Sequence, residues 1–133
     1  MLSYRDGVRA LAWLVEAFGF VERHRMLAPD GRLSHGELAT PNGGMIMLAS
    51  PSPHYEGPRL HRENCAAARA WSEVPWVIDG VLVYVTDVAA HRERAAAAGA
   101  ILLGDIETGG PGTRYRVEDI EGHRWMFMEP AGA

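Results

Sequence analysis

The sequence predicts an α+β fold: two βαβββ modules in tandem, forming a curved, cup-shaped mixed sheet with helices on its outer face. Three observations lead there. A displacement of 80 residues lays Tyr4 on Tyr84, Val8 on Val88, Ala10 on Ala90, Ala17 on Ala97 and Gly19 on Gly99. In both copies a capped helical stretch follows a short strand-like run. After each helix come three further strand candidates, separated by Gly- and Pro-bearing turns.

In the first copy the leading strand is short, Leu2 to Arg5. Gly7 to Phe18 then reads as a helix, because Val8, Leu11, Ala12, Val15 and Phe18 recur at helical spacing and make one apolar stripe. Asp6 stands where a carboxylate caps the free backbone N–H groups, and Gly19 where a left-handed residue ends the helix. Strands are expected at Val21 to Leu27, Leu33 to Ala39 and Met45 to Ala49. Pro29-Asp30-Gly31 and Pro41-Asn42-Gly43-Gly44 turn the chain between them. In the second copy Val81 to Val85 is a β-branched run. The helix runs from Val88 to Ala98, with Thr86 and Asp87 at its start and Gly99 at its end. Strands follow at Ala100 to Ile106, Thr113 to Glu118 and Arg124 to Met128. The 133 residues thus divide into module one (1–50), a connection (51–79) and module two (80–129), all within one domain of ordinary size. The connection is rich in Pro and Ser, with a helical turn expected around Glu63 to Trp71. Its length suits a functional segment or a lid.

Composition narrows the chemistry. At 47% apolar and 23% charged residues, the chain has the makings of a packed core. Its apolar runs are too short for a transmembrane helix, and no secretory leader is visible, so a cytoplasmic location is expected. Cys65 is the only cysteine, which fits a reducing compartment. Net charge is −4 and the basic residues are scattered, so neither nucleic acid nor a membrane surface is an expected partner. All 13 basic residues are Arg. Without Lys the chain forms no Schiff base and cannot hold a nucleotide phosphate through a phosphate-loop lysine.

Local motifs carry a resemblance. Tyr4-Arg5-Asp6 followed by Ala17-Phe18-Gly19-Phe20, the strand His35-Gly36-Glu37-Leu38, and the hairpin Asp119-Ile120-Glu121-Gly122-His123-Arg124-Trp125 resemble those of the vicinal oxygen chelate superfamily. That superfamily holds glyoxalase I, extradiol dioxygenases and the fosfomycin- and bleomycin-resistance proteins. Ile120 replaces the family's Pro, and His123 its Asn. The resemblance covers nearly the whole chain outside 51–79 and implies two modules curled into a cup. It also implies metal ligands on the first and fourth strands of each module. Those positions fall on Val81, Met126 and Met47 here, and the remaining one would precede Met1. None offers the nitrogen or carboxylate oxygen that Zn, Ni, Mn or Fe sites use, so no metal and no cofactor are expected. The resemblance further implies a homodimer.

Period-two alternation assigns faces. Met45, Met47, Val81, Val83, Val85, Arg124, Met126 and Met128 are expected to face the cup. Leu82, Tyr84, Ile46, Leu48, Trp125 and Phe127 are expected to face the helices. The cup floor would then be apolar and adaptable, since thioethers fill irregular space, with Arg124 as its one charge. His35 and Glu37 share a strand face, either as an acid/base pair or as a solvated face. Arg114, Arg116 and Glu118 alternate likewise, and Arg116 could meet a carboxylate or phosphate. Trp71 and Trp76 either stack on a flat ligand or anchor the connection. His54, His61 and Cys65 read as surface or helix-face residues. The expected function is metal-independent binding of a small amphipathic molecule at Met45, Met47, Val81, Val83, Arg124, Met126, His35, Glu37 and Arg116. The alternative is a lyase, isomerase or dioxygenase-type enzyme, either holding a metal through non-family ligands or using His35 and Glu37 as acid and base.

Overall fold

The computed structural model describes residues 1–76 and 79–132. In chain order the first module holds β1 (Leu2–Ser3), α1 (Gly7–Phe18), β2 (Val21–Leu27), β3 (Leu33–Ala39) and β4 (Met45–Ala49). The connection carries α2 (Pro58–Asn64) and α3 (Ala66–Trp71). The second module holds β5 (Gly80–Tyr84), α4 (Val88–Ala97), β6 (Ile101–Leu102), β7 (Gly112–Glu118) and β8 (Arg124–Pro130).

The two sheets have the same topology, β1-β4-β3-β2 and β5-β8-β7-β6. In each, the first strand runs parallel to the fourth and the other neighbours are antiparallel. Helix α1 begins where Asp6 accepts a hydrogen bond from the Arg9 amide at 3.1 Å, and ends at Gly19 with φ 74°. Its stripe buries Leu11, Leu14 and Phe18 completely, and each such side chain is worth about 1.5–3 kcal/mol on burial. Gly36 lets α1 approach the sheet, because a Cβ there would lie 2.9 Å from Leu11 Cδ1.

Helix-side residues of both modules build one core, with Leu11, Leu14, Phe18 and Phe20 packed among Val83, Tyr115, Trp125 and Phe127. Helices α1 and α4 lie against each other, and Trp13 Nε1 donates to the Ala98 carbonyl at 2.8 Å. No described strand of one module pairs with a strand of the other. The modules therefore meet through their covered faces, and both concave faces stay open.

Two expectations about elements need correction. The strand expected at Ala100 to Ile106 is only Ile101–Leu102: after the Leu103 amide donates to the Arg116 carbonyl at 3.0 Å, Gly104, at φ 134°, takes a backbone form that other residues rarely adopt, and the next pairing is the Glu107–Arg114 bridge. The connection holds two short helices and not one turn, broken at Cys65, which is extended.

Candidate functional site

The open surface of module two is built from alternate residues of β5, β8 and β7. Cross-strand partners share a face, so the register places Leu82 beside Met126 and Arg116, and Tyr84 beside Met128 and Arg114. Gly80, Arg124 and Glu118 make a third row. This corrects the faces expected for β5. Val83 is 4% exposed within the core and Val81 packs against it, whereas Leu82 is 47% exposed. Val83 thus belongs to the core and not to the cup, whereas Val81, partly buried against the core, also borders the small pocket beside Trp76. Met126 faces the concave side as expected.

In module one Met45 and Met47 are exposed on β4, opposite Ala39 and Glu37 of β3. His35 and Glu37 point the same way, and His35 Nε2 donates to Glu37 Oε1 at 3.0 Å. The His24 ring lies 6.1 Å from that of His35. The expected site residues therefore fall into two groups on separate sheets. Met45, Met47, His35 and Glu37 lie on one. Arg116, Arg124 and Met126 lie on the other. His54 and His61 are exposed, as surface residues should be.

Arg124 is not the free cup charge that alternation suggests. It is 6% exposed, and its Nη2 donates to the Ser72 carbonyl at 2.7 Å and to Glu118 Oε2 at 3.3 Å. Its Nη1 donates to the Val74 carbonyl at 3.3 Å. Glu118 also accepts from Arg62 Nη2 at 2.9 Å, with Arg59 Nη2 at 3.5 Å. Burial holds Arg62 below the ordinary arginine value, and Glu118 opposes that shift. Arg116 is ion-paired with Glu107, as is Arg114, and the Trp76 ring lies over the Arg116 guanidinium with 5.5 Å to its centroid. The connection is thereby fastened onto the concave edge of module two. No sequence signal marks Ser72 and Val74 as partners of Arg124, because the contacts go to backbone carbonyls fifty residues away.

Pro75, Trp76, Gly80, Val81, Leu82, Arg116, Arg124, Trp125 and Met126 line a pocket of about 190 Å³ that is open to solvent. The Nε atoms of Arg116 and Arg124 are shut off from solvent and have no acceptor among the described residues.

The positions that the resemblance reserves for metal ligands do not suit a metal. Met47 and Met126 carry thioethers, Val81 faces the core, and its concave neighbours Gly80 and Leu82 have no donor. Among the described residues, no three His, Cys, Asp or Glu side chains are placed to hold a metal ion.

Comparison with models of protein families returns no match. An uncharacterized protein of Mycobacterium bovis is 34% identical over 130 residues, covering 94% of this chain and 77% of its own. The crystal structure of TioX from Micromonospora sp. ML1 is 29% identical, with a TM-score of 0.68 over 97% of this chain and 94% of that one. A glyoxylase/bleomycin resistance protein/dioxygenase domain from Frankia sp. EAN1pec superposes with a TM-score of 0.66 at 17% identity, over 96% and 91% of the two chains. The chain has the fold of the glyoxalase and bleomycin-resistance proteins. The same fold occurs in TnmS3, an antibiotic binding protein from Streptomyces sp. CB03234, at 18% identity, with a TM-score of 0.62 over 93% of this chain and 86% of that one. No helix among the described residues is long and apolar enough to cross a membrane.

Proposed function

We propose that this chain is a metal-independent, cytoplasmic binding protein whose two modules act as one domain to sequester or carry a small amphipathic molecule. One observation carries the reading: the concave faces present exposed apolar side chains, Met45 and Met47 on one module and Leu82 and Tyr84 on the other. Met126 completes the second floor, beside Leu82. The thioethers accept several ring shapes, which suits broad specificity. The antibiotic-binding role of TnmS3, a protein of the same fold, agrees with this use of the surface.

A homodimer follows from the same observation. Within one chain the modules meet through their helix-covered faces, so each open face needs a cover. A second copy can lay its module-one surface, with Met45 and Met47, opposite the module-two surface of the first. His35 and Glu37 would then overlook the ligand from the opposite wall.

A second reading rests on the 3.0 Å His35–Glu37 hydrogen bond, which would make the pair an acid and base for an isomerase or lyase. Elemental analysis and calorimetry separate the readings. The binding protein takes up aromatic amphiphiles after chelator treatment, carries no stoichiometric Ni, Zn, Mn or Fe, and returns the ligand unchanged. A bound metal lost in Glu37→Gln, or a chemically altered ligand, favours the enzyme.

A further inference from the structure

Resting on that reading, we infer that the module-one face selects a ligand whose aromatic ring carries a protonated amine, the ammonium set against Glu37 and the ring against Met45 and Met47. Accessibility supplies the first part. His35 Nε2 donates to Glu37 Oε1 at 3.0 Å, while Oε2 accepts from no described residue. The Glu37 side chain is 26% exposed, so a ligand donor can reach it from solvent. The charges of the module-two face are differently placed: Arg124 is buried, and Arg116 is paired with Glu107 and covered by Trp76.

Strand register supplies the second part. Glu37 stands between His24 of β2 and Met47 of β4, and Val21 and Met45 flank Ala39 in the next row. Val21, Met45 and Met47 are all exposed. Among the residues these rows place on the face, Glu37 is the only carboxylate and none is an arginine. Arg25 pairs with Gly36, whose face is turned to α1, and its guanidinium binds Glu22 at 2.7 Å. The face therefore offers one negative charge amid thioethers.

Desolvation supplies the third. A ring laid over Met45 and Met47 draws water away from Glu37, and a covered carboxylate is costly unless it is paired. An ammonium group pairs it through a charge-assisted hydrogen bond. A hydroxyl meets it more weakly, and a second carboxylate repels it.

Three probes of one shape test the selection: 2-naphthylmethylammonium, 2-naphthylmethanol and 2-naphthoate, titrated by calorimetry into the full-length protein. Charge-assisted hydrogen bonds are about twice as strong as neutral ones, so the ammonium should bind at least roughly tenfold tighter than the alcohol, and naphthoate weakest. Raising the salt concentration should narrow this wild-type preference. Glu37→Gln keeps the shape of the side chain and removes its charge, so it should bring the ammonium level with the alcohol. Equal binding of ammonium and alcohol, tighter binding of naphthoate, or a preference that survives in Glu37→Gln would make the selection wrong while the binding function stands. If none of the three binds, both fall.

Discussion

Tyr4 donates its hydroxyl proton to Asp119 across 2.5 Å, joining residues 115 positions apart and thereby the two modules. Asp119 is 1% exposed and accepts three more hydrogen bonds, from Trp125 Nε1 and from the amides of Glu121 and His123. Burial, and then the Asp119 charge, raise the Tyr4 hydroxyl well above its ordinary pKa, so it remains a donor at every physiological pH.

Removing this link should loosen the chain. Tyr4→Phe deletes one donor and leaves Asp119 three, for a loss of about 1–2 kcal/mol. Asp119→Ala strands four donors and should cost more than twice as much. Urea unfolding would show the midpoint falling in that order with an unchanged slope. Equal midpoints for wild type and Tyr4→Phe would contradict the role.

Glu118 anchors the connection, and its loss should be severe. Glu118→Leu leaves Arg62 and Arg124 buried around no carboxylate, a change worth about 3–5 kcal/mol. Limited proteolysis should then cut the connection, near Ser72 to Trp76, before the modules. Unaltered proteolysis would show that the connection is held by other means.

His91 gives the fold a pH dependence. The Phe18 carbonyl only accepts, so His91 Nε2 donates to it at 2.9 Å, and the neutral Nδ1 accepts from the Tyr115 hydroxyl at 2.6 Å. Burial, the largest cause, lowers the His91 pKa below 6.5. The unfolded chain then binds this proton more readily. The stability from neutral His91 is present above about pH 6.5 and is lost as pH falls from there to the depressed folded value. Thermal melts between pH 7.5 and 5 should show a falling midpoint, and His91→Gln should flatten that slope. An identical slope in the variant would remove His91 as its source.

Dimer formation is open to a direct check. Light scattering at micromolar concentration should return twice the 14.6 kDa chain mass. Tyr84→Glu together with Met47→Glu, which sets like charges against each other across the interface, should halve it. A wild-type monomer would leave the concave faces uncovered and contradict the assembly.

How far the sequence displayed all this depended on whether a residue's neighbours were local. Helix α1 and strands β2, β3 and β4 fall where their caps, turns and periodicity place them, since Asp6, Gly19 and Pro41-Asn42-Gly43 act within a few residues. Strand β5 differs because Val81, Leu82, Val83 and Tyr84 are apolar on both faces. Alternation alone cannot orient such a strand. Only the Leu82–Met126 register does so. Leu82 and Tyr84 therefore escaped as floor residues, and Val81 and Val83 stood in their place. Arg124 was correctly placed on the concave face by its parity with Met126. Its burial arises from carbonyls in a segment whose path no pattern predicts.

The central claim is that the concave floor binds an amphipathic ring without a metal. Its most direct test is calorimetric titration of chelator-treated protein with the neutral ring 2-naphthylmethanol, wild type against Met126→Glu. The expected result is saturable binding that added Zn, Ni or Mn does not improve. It should weaken roughly tenfold or more in Met126→Glu, where a carboxylate lies unpaired on the apolar floor. No binding, binding that appears only with added metal, or equal affinity for wild type and variant would contradict it.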